Sequence, residues 1–169
     1  MGLSNAISGG IIMVALISIL LTVPGIVGTT SIVQDAANEI ADIETEIYNT
    51  DIGISSLAAS TGSATITFSL SNDGPEKLWD FEQFDIFVTY IGDTSSKKTE
   101  KLSYSGSCSA TAGLWCVSSI TNDILDPSLI NEGESGNISL TVDENLATGI
   151  VIVMVSTGNG VLASSSTTV

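Results

Sequence analysis

The chain has no histidine and no arginine, and its four lysines all lie between Lys77 and Lys101. Serine is abundant, but without histidine there is no ordinary base to activate it in a catalytic triad. There is also no glycine-rich phosphate loop. Four lysines against 19 acids leave a formal charge of −15. That excludes nucleic acid, whose binding rests on Lys and Arg neutralising phosphates, and docking on an anionic leaflet. An acidic surface keeps an exported protein soluble and suits cations or a basic partner. The chain reads as a non-enzyme that carries no cofactor.

Charge is also missing locally. Met1 to Gln34 holds no charged side chain. Its centre is the run Ile11-Ile12-Met13-Val14-Ala15-Leu16-Ile17-Ser18-Ile19-Leu20-Leu21-Thr22-Val23, which continues past Pro24-Gly25 to Ile32-Val33. As a helix, Ile11 to Val33 is roughly 35 Å long at about 1.5 Å per residue, enough for a hydrocarbon core of about 30 Å. A cleaved secretory signal would need a basic start and a shorter apolar core. The segment is expected to span a membrane or to pack against copies of itself. No Lys or Arg flanks it, so the positive-inside rule gives no orientation.

The pattern then becomes amphipathic. Val33, Ala36, Ile40, Ile43 and Ile47 fall at spacings of 3, 4, 3 and 4, a heptad seam. Asp35, Glu39, Asp42, Glu44 and Glu46 take the other faces. The stripe packs either on the chain's own β domain or on another copy. Asn49-Thr50-Asp51 ends the helix with residues that favour caps and turns.

From Asp51 onward the period is 2. Strands are expected at 52–57, 64–70, 84–91, 97–104, 114–120, 137–142, 150–155 and 161–169, separated by turn signals such as Asn72-Asp73-Gly74-Pro75 and Gly158-Asn159-Gly160. Ile150 to Val155 is apolar on both faces and is expected to be a central strand. The fold class is mainly β with one long N-terminal α-helix: residues 1–49 form a hydrophobic, then amphipathic helix, and 50–169 an immunoglobulin-like antiparallel sandwich. The Cys–Trp–Cys core spacing of antibody domains is absent.

Cys108 and Cys116, eight apart in a small-residue loop, are expected to be oxidised in an exported domain, the alternative being two free thiols. Two sulfurs with no histidine are not a zinc pattern. Carboxylate neighbours occur at Asp80 and Glu82, Asp123 and Asp126, Glu132 and Glu134, and Asp143 and Glu144, as the density of acids requires. A calcium loop needs several such oxygens together, and none of these pairs has EF-hand spacing. Asn137-Ile138-Ser139 is a glycosylation acceptor sequence, with Asn137 on the strand face opposite Ile138. Trp79, Phe81, Phe84, Phe87 and Tyr90 form a dense aromatic group. Part of it belongs in a core, and alternation places Phe87 opposite Phe84 and Ile86. Trp79, Phe81 and Phe87 are candidate partner contacts.

An uncharged N-terminal helix, an amphipathic extension and an all-β head together resemble the archaeal type IV pilin superfamily. The start Met1-Gly2-Leu3-Ser4-Asn5-Ala6-Ile7-Ser8 lacks the basic leader of pilins and archaellins. Leu78 to Tyr90 resembles the "DF…(F)D-hydrophobic-V-x-Y" segment of the archaellum protein F group, the stator components. Ile130-Asn131-Glu132-Gly133-Glu134-Ser135 resembles the "lnPGE" turn of that group, with Glu132 where proline is usual. The resemblance implies a membrane-anchored structural protein of the archaellum, its extracellular sandwich tethering the motor or filament to the surface layer. The partners it implies are surface-layer protein, other archaellum components, the membrane, and further copies through the helix. Two alternatives are a filament subunit, with helices in the core and β heads in the shell, and a membrane-anchored cation- or solute-binding domain.

Overall fold

The computed structural model describes residues 2–123 and 126–169, with side chains along the N-terminal helix described at 10–19 and 32–49. Two compact units result, Met1–Glu44 and Thr45–Val169.

The first unit belongs to α1, Gly2–Asn49. Its described apolar side chains lie open: Ile11, Ile12, Met13, Val14, Leu16, Ile17 and Ile19 are each at least half exposed. The expected membrane span, Ile11 to Val33, has side chains 20–31 outside the described residues. Among the described residues, no helix is long and apolar enough to cross a membrane. The seam residues Val33, Ala36, Ile40 and Ile43 are also exposed.

The second unit is built from eight strands: β1 Ile52–Ala59, β2 Thr65–Asn72, β3 Asp85–Ile91, β4 Lys97–Tyr104, β5 Leu114–Thr121, β6 Ser135–Thr141, β7 Ile150–Ser156 and β8 Leu162–Thr168. They form one ladder in the order β1-β2-β6-β5-β4-β3-β7-β8. Every pairing is antiparallel except β4 with β5, a parallel seam of two residue pairs, Ser103 with Leu114 and Tyr104 with Trp115. The ladder folds over at that seam into two facing layers, β1-β2-β6-β5 and β4-β3-β7-β8. At the far side β1 lies beside β8.

Period-2 alternation supplies the core. Ile66, Phe68 and Leu70 of β2 and Ile138 and Leu140 of β6 point in from one layer. Ile86, Val88 and Tyr90 of β3, Leu102 of β4 and Val151, Val153 and Val155 of β7 point in from the other. Each is almost wholly removed from water, and area burial of this kind is the main term stabilising such a sandwich. β1 bulges between Ser55 and Ala58, with Ser56 at φ 53°. β7 is a central strand, as expected, flanked by β3 and β8, and its outer face is open: Ile150, Ile152 and Met154 are 59%, 41% and 39% exposed.

Candidate interaction surface

The aromatic segment divides by register. Trp79 stands out, 61% exposed. Asp80 then accepts a hydrogen bond from Gln83 Nε2 at 2.6 Å, across a 3-10 turn over Phe81–Gln83. That turn rolls Phe81 inward, where it meets Phe84 edge-on at 5.5 Å between ring centres, and also Tyr104 and Trp115. Phe81, expected as a partner contact, is a core residue. Trp115 Nε1 is buried there with no hydrogen-bond partner among the described residues. β3 begins at Asp85, so Ile86, Val88 and Tyr90 face in and Phe87 faces out. The motif that carries the resemblance is thus mostly a packing motif.

Phe87 opens onto the outer face of the β4-β3-β7-β8 layer. Register sets it beside Met154 on one side and Lys101 on the other. The Lys101 ammonium lies 6.0 Å from the Phe87 ring centre and 2.7 Å from Asp85 Oδ1. Ile152 and Ile150 continue the apolar stripe along β7, and Leu162, opposite Ser156, is 63% exposed. Lys97 borders the same face opposite Ile91. An open groove of about 350 Å³ adjoins it, lined by Glu82, Phe84, Asp85, Lys101, Leu102, Ser103 and Tyr104.

The other layer presents hydroxyls outward. Thr67, Ser69 and Ser71 of β2 run beside Ser139, Asn137 and Ser135 of β6, which run beside Ser119 and Thr121 of β5. Asn137 is exposed in mid-strand, and its Nδ2 donates to Ser119 Oγ at 3.0 Å. Cys108 and Cys116 are joined in a disulfide with Cα atoms 5.3 Å apart, which ties the β4–β5 loop to β5 beside Trp115.

The acidic neighbours are used structurally. Tyr90 is wholly buried, and its hydroxyl donates to Glu100 and accepts from the Glu144 backbone N–H at 3.3 Å. Glu100 also accepts from Asp143 N at 3.1 Å, and Glu144 accepts from Lys98 and Thr94. Burial, then the Glu100 bond, raises the Tyr90 hydroxyl above its ordinary range. The Lys98 hydrogen bond lowers the Glu144 carboxyl, and the same bond raises Lys98. Glu134, 7% exposed, accepts from Asn131 N at 2.9 Å and from Asn131 Nδ2 at 3.1 Å. Among the described residues, no three His, Cys, Asp or Glu gather as a metal site. Sequence spacing gave no sign of the Tyr90–Glu100–Glu144 knot, because Glu144 comes from a loop far along the chain from the β3–β4 pair that carries Tyr90 and Glu100.

The conserved flagellar protein F immunoglobulin-like domain matches residues 48–163, more than half of the chain. Two solved structures share the fold. The archaellum periplasmic stator protein FlaG from Sulfolobus acidocaldarius is 16% identical with a TM-score of 0.52, over 70% of this chain and 99% of that one. The archaellum periplasmic stator protein complex of FlaF and FlaG from the same organism gives 15% and 0.51, over 69% of this chain and 87% of that one. No curated protein matches in sequence.

Proposed function

The chain belongs to the conserved flagellar protein F family, and from that premise we propose that it is a stator component of the archaellum, held in the envelope by α1 and tethering through its sandwich to the surface layer. The observation that carries the reading is the family match across the whole sandwich, from the last turn of α1 into β8. Two features support it. The exposed isoleucines, leucine and valine of α1 need cover from lipid or from other helices, since leaving them in water costs about 1.5–3 kcal/mol per side chain. The sandwich, in turn, holds its own core. The reading places the head outside the membrane, with the Cys108–Cys116 bridge suited to an oxidising compartment and Asn137 carrying a glycan.

One observation favours a second reading. Val33, Ala36, Ile40 and Ile43 form an open heptad stripe, which also suits a helix in the central bundle of a filament. Deleting the gene and imaging the cells separates the two. A stator is expected to leave filaments that form but detach or fail to drive swimming. Purified filaments built mainly of this chain would replace the stator reading with the subunit.

A further inference from the structure

Beyond its uncharged run, α1 carries five acids and no base: Asp35, Glu39, Asp42, Glu44 and Glu46. The ion pairs among the described residues use Asp85, Asp126 and Glu144, none of which lies in α1. Val33, Ala36, Ile40 and Ile43 run exposed along the same stretch of helix, with no proline among them. With Val33 and Ile40 as a and Ala36 and Ile43 as d, Glu39 falls at g and Glu44 at e. The stripe is therefore two positions wide, with a carboxylate on each flank. A stripe that narrow is the seam for one partner helix, whereas a helix lying on a sheet needs an apolar face of about 100° or more.

Resting on the stator reading, in which α1 sits in the envelope and not in a filament core, we propose that residues 33–44 form one half of a heteromeric coiled coil. The occupant of the seam is a helix of a different membrane-anchored chain, apolar at a and d and carrying Lys or Arg at e and g. In a parallel pair, g of one helix meets the following e of the other. Two copies of this chain would set Glu39 against Glu44 on both sides of the seam. An antiparallel pair matches g with g and e with e, so acid meets acid there too. Charges at these positions set partner choice and orientation, while Ile40 and Ile43 supply the apolar contact. Lipid would cover the isoleucines but would leave the flanking carboxylates without partners. A basic helix satisfies the stripe and both of its edges.

The test uses the full chain in its own membrane. The photo-cross-linking residue benzoylphenylalanine replaces Ile40 or Ile43 in turn, and mass spectrometry locates the adduct. The expected adduct is with one other chain, on a helix with Lys or Arg at e and g. Glu39→Lys with Glu44→Lys is expected to reduce that adduct about tenfold or more, and Glu39→Gln with Glu44→Gln to reduce it less. In detergent, the wild-type sequence carrying the cross-linker is expected to give about tenfold more adduct at the seam with the Lys double variant than with a second wild-type copy. Equal adduct with both overturns the charge argument and with it the proposal. In the membrane, an adduct with a second copy, in cells whose filaments lack this chain, overturns the choice of occupant and leaves the stator reading standing. The same adduct inside purified filaments built of this chain removes both. A partner helix without Lys or Arg at e and g, or an adduct that the Lys double variant leaves unchanged, overturns the proposal. So do cross-links that stay within the chain, and so does the absence of any adduct.

Discussion

Asn159, in the β7–β8 turn, donates from Nδ2 to Thr50 Oγ1 at 2.7 Å, and Thr50 Oγ1 donates to the Glu46 carbonyl at 2.7 Å. Thr157 Oγ1 holds Asn159 from the other side by donating to its Oδ1. The last turn of α1 is thus fastened to a turn more than a hundred residues away in sequence. Asn159→Ala is expected to cost about 1–2 kcal/mol and to speed amide exchange at residues 46–50. Hydrogen exchange read by mass spectrometry checks both the place and the size.

Gly74 packs against the same junction. A Cβ there would lie 2.3 Å from the Asn49 carbonyl oxygen and 2.5 Å from Asp51 N, both backbone atoms that cannot swing aside. Gly74→Ala is expected to destabilise by about 1–3 kcal/mol. Gly106→Ala, which would meet nothing within 4 Å, is the matched control and is expected to stay within about 0.5 kcal/mol. Denaturant unfolding of the two variants side by side decides it.

The turn Asn131–Glu134 closes with Glu134 N donating to the Asn131 carbonyl at 3.0 Å, and Gly133 takes φ 78°. A positive φ at the third residue is the mark of a type II turn, whose second position favours proline. Glu132 occupies that position and is exposed. Glu132→Pro is expected to stabilise the protein by about 0.4–1 kcal/mol by restricting the unfolded chain. A lower melting temperature would show that the Glu132 backbone does not have the conformation of a type II turn.

Tyr90→Phe removes the hydroxyl that both Glu100 and the Glu144 N–H use, and is expected to cost about 1–3 kcal/mol. Its pH signature is specific. The folded state holds this phenol above its ordinary value near 10. Its contribution is therefore complete below pH of about 10 and is lost as the pH rises through the higher folded-state value. Unfolding followed from pH 8 to pH 12 is expected to show a steeper alkaline loss in wild type than in Tyr90→Phe. Parallel curves would sink the idea.

The Cys108–Cys116 bridge closes a short loop. Cys108→Ser with Cys116→Ser is expected to cost about 2–3 kcal/mol by the chain-entropy argument. Alkylation of native protein without reductant, followed by mass spectrometry, is expected to label neither sulfur.

Much of the head was legible as alternation. Ile66, Phe68 and Leu70, or Ile86, Val88 and Tyr90, declare their inward face without any knowledge of neighbours. The same alternation put Phe87 outside. It failed at Phe81, because a 3-10 turn has no period of 2 and three residues are too few to announce one. It also could not show that the outer face of β7 lies open. An apolar run reads the same whether its second face is covered or bare. The roles of Thr50, Asn72 and Asn159 were out of reach for another reason. Asn72, fully buried, donates to the Glu76 and Ile130 carbonyls. Such partners exist only once distant loops have met.

The strand order also sets a sequence in time. β6 lies between β2 and β5, and β7 between β3 and β8, so each layer has a keystone made late in synthesis. Phe68 waits for Ile138, and Val88 for Val153. Closing such separations costs chain entropy before any ladder bond is gained, which slows folding. The early hairpins β1–β2 and β3–β4 must therefore stand with unpaired edges and one apolar face open while the rest of the chain is made. A nascent head stalled before Ser135 has neither layer complete, and one stalled before Ile150 has only the first.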